Sequence, residues 1–461
     1  MEIPGGPVTA TARPPAPPDV PPAGQALNRV TLAGLAGTVV EFYDFALFAT
    51  AAALVLGPVY FPAADRETAV LASLATLATG FLARPLGALL FGHIGDRAGR
   101  RAVLLGTVLT TGGATFAMGL LPGHDRLGVT ATVLLVVLRL IQGIGIGGEW
   151  TAAVVLASEH APPNRRGLWT SLPQTGPAIG FLLATGALLG CSAALGPEEF
   201  RDWGWRLPFL GAGVLTVVAF LLRSAAVESP VFTALHAERR LSRGPVRQVL
   251  RDHIGRVLLV TGAVTCVYAV HYTATTWSLA YADRALGLEP ADTLLAVTVA
   301  MAVMAVATPF AASLGDRYGR RRQSLRGCLA MAVGVPLYLG LLQTRSPAAF
   351  AVASTGLLLA VVVVLGVQGA FVPSLFPAEV RTTGTAVSYN LGAVLGGGLT
   401  PLVNAWLAVR SGSGLPWAVA VYLVLLCAVG ALCLLRLPAA QRLGPPPGAA
   451  GPSGERRHRA R

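Results

Sequence analysis

Apolar runs of about twenty residues or more recur along the whole chain, and no other feature limits its fold so strongly. They lie at about 29–57, 68–95, 101–121, 127–157, 166–193 and 205–223, then at 256–281, 292–314, 323–342, 347–376, 383–408 and 416–436. Inside a bilayer every backbone N–H and C=O must find a partner within the protein, which leaves helices or a closed barrel. These runs are continuous and rich in Leu, Ala, Val and Gly, without the two-residue alternation of barrel strands. The fold class is therefore an all-α polytopic membrane protein with twelve transmembrane helices. Only 12% of the residues are charged and 54% are hydrophobic, against about 25% charged in soluble proteins.

The runs divide six and six around a polar connector. The expected organisation is a disordered tail at 1–28, an N-terminal six-helix bundle at 29–223, a basic linker at 224–255, a C-terminal bundle at 256–436 and a second disordered tail at 437–461. The first tail is Pro-, Gly- and Ala-rich without an apolar stretch, so it is not a cleavable signal.

All 35 basic residues are Arg, and the net charge is +13. Arg gathers in alternate connectors: Arg97, Arg100 and Arg101; Arg165 and Arg166; the linker from Arg223; Arg317, Arg320, Arg321 and Arg322; Arg381. The other connectors are acid-balanced. By the positive-inside rule the Arg-bearing side and both termini face the cytoplasm, so the chain is expected in the cell (inner or plasma) membrane. Positive charge scattered over short loops is not a nucleic-acid footprint. Cys191, Cys266, Cys328, Cys427 and Cys433 lie in or beside apolar runs and read as small buried residues. Gly143-Ile144-Gly145-Ile146-Gly147-Gly148 matches a dinucleotide fingerprint by letter but follows no strand. No phosphate-binding loop, metal cluster or catalytic triad is present, so neither an enzyme nor a cofactor is expected.

One connector is written twice. Gly95-Asp96-Arg97-Ala98-Gly99-Arg100-Arg101 returns as Gly315-Asp316-Arg317-Tyr318-Gly319-Arg320-Arg321, an offset of 220 shared by Glu159 and Glu379. A repeated offset marks an internal duplication. Gly92 and Gly95 permit close helix approach, as do Gly143/Gly147, Gly176/Gly180 and Gly392/Gly396. Asp96 is expected to accept backbone N–H groups at the start of the third helix. Arg100 or Arg101 is expected to reach Glu159. The second copy has Ala312 where the first has Gly92, and is expected to pack less tightly.

The duplicated loop on a six-plus-six frame resembles the major facilitator superfamily. Glu41-Phe42-Tyr43-Asp44-Phe45, Phe81-Leu82-Ala83-Arg84-Pro85-Leu86-Gly87, Arg139 through Trp150, and Pro377-Ala378-Glu379-Val380-Arg381 are similar to its metabolite:proton symporter group, with transporters for α-ketoglutarate, citrate, shikimate and proline/betaine. The resemblance implies two six-helix bundles related by an axis along the membrane normal, each of two inverted three-helix repeats. It also implies a cytoplasmic latch that opens during transport. The latch set is Gly92, Asp96, Arg97, Arg100, Arg101, Glu149 and Glu159 in the first half. In the second it is Asp316, Arg317, Arg320, Arg321, Glu379 and Arg381.

Several charges fall inside spans, where each costs about 2.5–3.5 kcal/mol and normally faces a partner or a wet cavity. Glu41 and Asp44 share a face of helix 1. Arg84 lies in helix 2 before Pro85, and Arg139 in helix 4 above Gln142 and Glu149. Asp44 is assigned to pair with Arg139, with Glu41 as the alternative proton site or as the partner of Arg84. The pair resembles the proton-coupling pair of other proton-linked members. Protonation of Asp44 would release Arg139 to a substrate carboxylate. Further binding candidates are Arg84, Gln142, Gln174, Tyr268, His271, Tyr272, Tyr389 and Asn390. The expected function is proton symport importing a small carboxylate-bearing metabolite, either an organic acid or a zwitterion such as proline or betaine. The alternative is a proton antiporter exporting a drug or secondary metabolite. The expected partners are the substrate, protons and membrane lipid, not nucleic acid, and the working unit is a monomer.

Overall fold

A computed structural model describes residues 23–62, 66–410 and 416–438; of the tails expected at 1–28 and 437–461, residues 1–22 and 439–461 lie outside the described residues. Among the described residues there is no strand. Among these residues twelve long helices carry the fold. The first six are α1 Ala23–Ala51, α2 Arg66–Arg97, α3 Arg100–Leu120, α4 Val129–His160, α5 Arg166–Gly196 and α6 Arg206–Ser224. The second six are α7 Ile254–Leu286, α8 Pro290–Tyr318, α9 Arg320–Leu342, α10 Pro347–Phe371, α11 Ala378–Arg410 and α12 Trp417–Arg436. Eleven are long and apolar enough to cross a membrane; α2, at 32 residues, has the length to cross as well. Helix α1 starts at Ala23, so residues 23–28 belong to it and not to a disordered tail.

Proline and glycine explain the breaks and the close packing. Proline has no N–H to give, and α5 passes through a 3-10 turn at Leu172–Thr175 around Pro173, while Pro373–Leu375 closes α10 in the same way. Gly143 meets the Gly80 backbone and Gly147 the Arg84 carbonyl, so α4 rests on α2 with no side chain between them. Gly180 meets the Val39 carbonyl and Gly396 the Thr265 carbonyl, while Gly176 receives the Thr38 side chain and Gly392 that of Val264, so glycine also lets α5 approach α1 and α11 approach α7.

Within each half the helices pack in corresponding pairs, α2 on α4 as α8 on α10, and α1 on α5 as α7 on α11. Across the halves α2 meets α11 and α5 meets α8. Leu82, Leu86 and Leu90 on α2, and many similar residues, stay exposed, the apolar belt a bilayer would cover.

The connector is partly folded. Short helices span Pro230–Ala237 and Pro245–Asp252, and Ser229 caps the first by accepting the Phe232 N–H at 3.1 Å, with Pro230 at its first position. Arg223 does not belong to the exposed basic connector. It is the last turn of α6, fully buried, and its guanidinium turns inward to Glu149 Oε1 at 2.8 Å.

Candidate functional site

A small cavity lies between the halves at mid-span. Helices α1 and α2 bring Glu41 and Arg84, with Arg84 Nη2 3.5 Å from Glu41 Oε1. From α4 and α5 come Trp150 and Gln174; α7 adds Tyr268, His271 and Tyr272; α11 adds Tyr389 and Asn390. Tyr268 stacks on Tyr272 at 6.0 Å between centroids, and Trp150 on Tyr389 at 3.5 Å across the halves. Phe45, Phe81 and Tyr272 meet edge to face at 5.8 and 6.0 Å. The Arg84 guanidinium also lies 4.4 Å from the centre of the Phe81 ring. One side of the cavity is thus ionic and the other aromatic. Of the binding candidates, Arg84, Gln174, Tyr268, His271, Tyr272, Tyr389 and Asn390 reach it.

Arg139 and Gln142 do not line the cavity. They are buried inside the N-terminal half, facing α1 and α3. The direct Asp44–Arg139 ion pair expected from the sequence is absent among the described residues: no nitrogen of Arg139 comes within 4.0 Å of the carboxylate. The reason is local. Gln142, one turn along α4, takes the Arg139 guanidinium through its amide oxygen, and Phe48 lies under it at 3.8 Å. The Gln142 amide then donates to Thr115 Oγ1 at 2.5 Å. Asp44 is 0% exposed and neither carboxyl oxygen has a hydrogen bond of normal geometry, with Thr115, Gln142 and Arg139 as its polar neighbours.

Deeper toward the loops, Arg223 gathers four partners. It donates to Ala33 O at 3.2 Å, Leu104 O at 2.6 Å, Thr107 Oγ1 at 3.2 Å and Glu149 Oε1 at 2.8 Å. Glu149 is therefore a brace within one half and not part of a contact between halves.

The duplicated loops join the halves. Asp96 does not cap α3. Its two oxygens accept the Thr382 and Thr383 N–H groups at 3.0 and 2.9 Å, at the first turn of α11 in the other half. Asp316 mirrors it, accepting Gly167 and Leu168 N–H at 2.9 and 3.1 Å on α5. The N-terminus of α3 is instead capped by Glu228 of the connector, which takes Arg100 and Arg101 N–H at 3.0 and 3.1 Å. Gly99, at φ 101°, supplies the left-handed turn that lets Glu228 in.

Glu159 sits between Arg100 Nε at 3.4 Å and Arg381 Nη1 at 2.6 Å, and also receives the Ser229 hydroxyl. Its counterpart Glu379 pairs with Arg240 of the connector at 2.7 Å, and Arg320 turns back to Asp316 at 2.7 Å. Arg97, Arg101 and Arg317 are exposed, and Arg321 donates to the Leu435 carbonyl. The second loop does not pack loosely. Ala312 is 0% exposed because the glycine has moved to the facing helix, where Gly167 lies against the Ala312 carbonyl.

Sequence reading missed Trp150, Thr115 and Phe48, and above all Glu228, Ser229 and Arg223. Glu228-Ser229-Pro230 carries a helix-start signal. Nothing local to it points to Glu159, which lies 70 residues away in sequence.

The Major Facilitator Superfamily model matches residues 34–387 and 263–459. The inner membrane metabolite transport protein YhjE of Escherichia coli is 38% identical over 414 residues, covering 88% of this chain and 93% of that protein. The shikimate transporter of Escherichia coli is 35% identical over 425 residues, covering 90% and 95%. Among solved structures, the proton:xylose symporter XylE bound to 6-bromo-6-deoxy-D-glucose superposes with a TM-score of 0.72 at 17% identity, over 91% of this chain and 98% of that one. A twelve-helix frame of two six-helix bundles, a duplicated loop that joins them and a family match along almost the whole chain lead to one conclusion: the protein is a multi-pass membrane transporter of the major facilitator superfamily.

Proposed function

We propose that this transporter is a proton symporter that imports a small carboxylate-bearing metabolite by alternating access. It works as a monomer in the cell membrane, with the duplicated loops and both termini in the cytoplasm. The carrying observation is Asp44, a carboxyl buried at mid-span with no hydrogen bond of normal geometry, behind a cavity that holds Arg84. An uncompensated carboxylate in that position is costly, and a proton neutralises it.

The geometry supports a route different from direct exchange at Arg139. With Asp44 protonated, Arg139 rests on Gln142 and Phe48. Loss of the proton draws Arg139 to Asp44 and shifts α1 against α4. Glu41 lies one turn from Asp44 on α1, so the shift changes how firmly Glu41 holds Arg84, which is the group that meets the substrate carboxylate. The latch of Asp96, Glu159, Arg100 and Arg381, with Asp316 on the other side, holds the cytoplasmic face shut in this state. Organic acids, proline-like zwitterions and shikimate-like acids all carry the carboxylate that Arg84 requires.

The test is uptake into proteoliposomes across a panel of organic acids and zwitterionic osmolytes, with an imposed pH gradient and a protonophore control. Asp44→Asn is expected to bind substrate yet fail to concentrate it. Normal accumulation with normal pH dependence would end the coupling assignment. Substrate-driven proton exit would favour the exporter.

A further inference from the structure

On the loop side, the connector helix Pro245–Asp252 packs against the end of α2, the start of α11 and the turn Ala378–Val380, so it touches both halves. Val249 pins it, with no exposed surface. Between this helix and α2 runs a shallow, open groove lined by His93, Gly244, Val246, Arg247, Leu250 and Arg251. Arg247 and Arg251 are exposed. Arg251 lies 4.0 Å from Asp252, which is itself exposed. The latch does not use this groove.

Two apolar stripes run from it into the belt. Leu86 and Leu90 on α2 are 61% and 50% exposed, and they lie two turns and one turn above His93. Leu250, Ile254 and Leu258 continue from the connector helix into α7 at 46%, 41% and 60%. A basic groove at the foot of two exposed apolar stripes matches a molecule with an anionic head and acyl chains. A soluble anion would leave the stripes bare.

We infer that this groove binds an anionic glycerophospholipid of the same leaflet, with its phosphodiester between His93, Arg247 and Arg251 and an acyl chain along Leu86, Leu90 and Leu250. The inference rests on the membrane placement and not on the proton chemistry. Because the connector helix contacts both halves in this closed arrangement, a lipid bound beneath it favours the closed state.

The experiment is native mass spectrometry of the full chain released from nanodiscs of phosphatidylcholine with a fraction of phosphatidylglycerol. The wild type is expected to retain phosphatidylglycerol. Arg247→Ala with Arg251→Ala is expected to weaken that retention by roughly 30-fold, about fivefold per arginine. The Arg→Lys pair is expected to keep it, and Arg322→Ala, an exposed arginine of the same side, to leave it unchanged. Three results would each overturn the site: equal retention in the double alanine variant, equal binding of phosphatidylcholine, or full displacement by millimolar inorganic phosphate. Failed coupling by Asp44 would leave all of these readouts unaffected.

Discussion

Glu159→Gln tests the latch most directly, because its cost can be worked from the structure. The carboxylate is 3% exposed and serves Arg100, Arg381 and Ser229 together. Glutamine keeps one acceptor oxygen and turns the other position into a donor. At least one charge-assisted hydrogen bond becomes neutral and another partner faces a donor. Bonds to charged groups contribute about 1.5–3 kcal/mol each, and of the two arginines only Arg381 comes from the other half, so the closed state alone loses about 1.5–3 kcal/mol. Once the loop side opens, water serves the Arg381 guanidinium and that part of the loss vanishes, whereas the bond from Arg100 lies within one half and its loss is equal in both states. The substitution therefore acts on the equilibrium, lowering the closed-to-open ratio about 10- to 150-fold.

Glu149→Gln is the internal control. Its partner Arg223 lies in the same half, so the loss is equal in both states and appears only as a lower Tm. The assay is double electron–electron resonance between spin labels at positions 97 and 317, both exposed and one on each loop, in a background with the five free cysteines replaced. Glu159→Gln should lengthen the main distance and Glu149→Gln should not. An unchanged distance in Glu159→Gln together with a lowered Tm would refute the latch and leave Glu159 a static brace.

Ser229→Ala removes both the helix cap and the hydroxyl on Glu159, and should shift the same distance distribution in the same direction by about 1 kcal/mol. Gly92→Ala sets a methyl 2.8 Å from Thr383 Cα, and Gly167→Ala one 2.9 Å from the Ala312 carbonyl; both should favour the open loop side, and limited proteolysis of the connector would report it. Arg84→Ala should lower kcat/KM for a carboxylate substrate about 10- to 150-fold, from one charged hydrogen bond. Initial-rate uptake with the protein amount matched checks this, and a wild-type rate would remove Arg84 from the site.

The frame was legible because its signals are local. Apolar runs, a repeated loop and glycines at fixed spacing appear in sequence as they appear in space. The charged contacts were less so. Asp96 and the first turn of α11 are 286 residues apart, and only the packing of two halves makes Asp96 a cap for the other half. Arg223 ends an apolar run and reads as a cytoplasmic charge, because nothing in sequence shows which way a long side chain turns at a helix end. Asp44 and Arg139 were rightly chosen as buried charges. Their pairing failed because Gln142, a neighbour on the same helix face, competes for the guanidinium.

The distribution of charge across the halves leads to a last prediction. From mid-span down to the Arg223–Glu149 pair, the N-terminal half holds three carboxyls, Glu41, Asp44 and Glu149, and three guanidinia, Arg84, Arg139 and Arg223, all buried. Among the described residues the C-terminal half buries no such group at mid-span and offers aromatic rings instead. With all six ionised the set is neutral, and a bound monocarboxylate adds one uncompensated negative charge in a low-dielectric site. One proton on Asp44 cancels it. A monocarboxylate should then travel with one proton as a neutral load, responding to a pH gradient and not to membrane potential. A zwitterion with one proton carries net charge and gains about 2.3 kcal/mol per 100 mV. Proteoliposomes given a potassium diffusion potential at equal pH separate the two. Monocarboxylate uptake driven by that potential alone would refute the neutral-load argument, and with it the role of the balanced six in setting stoichiometry.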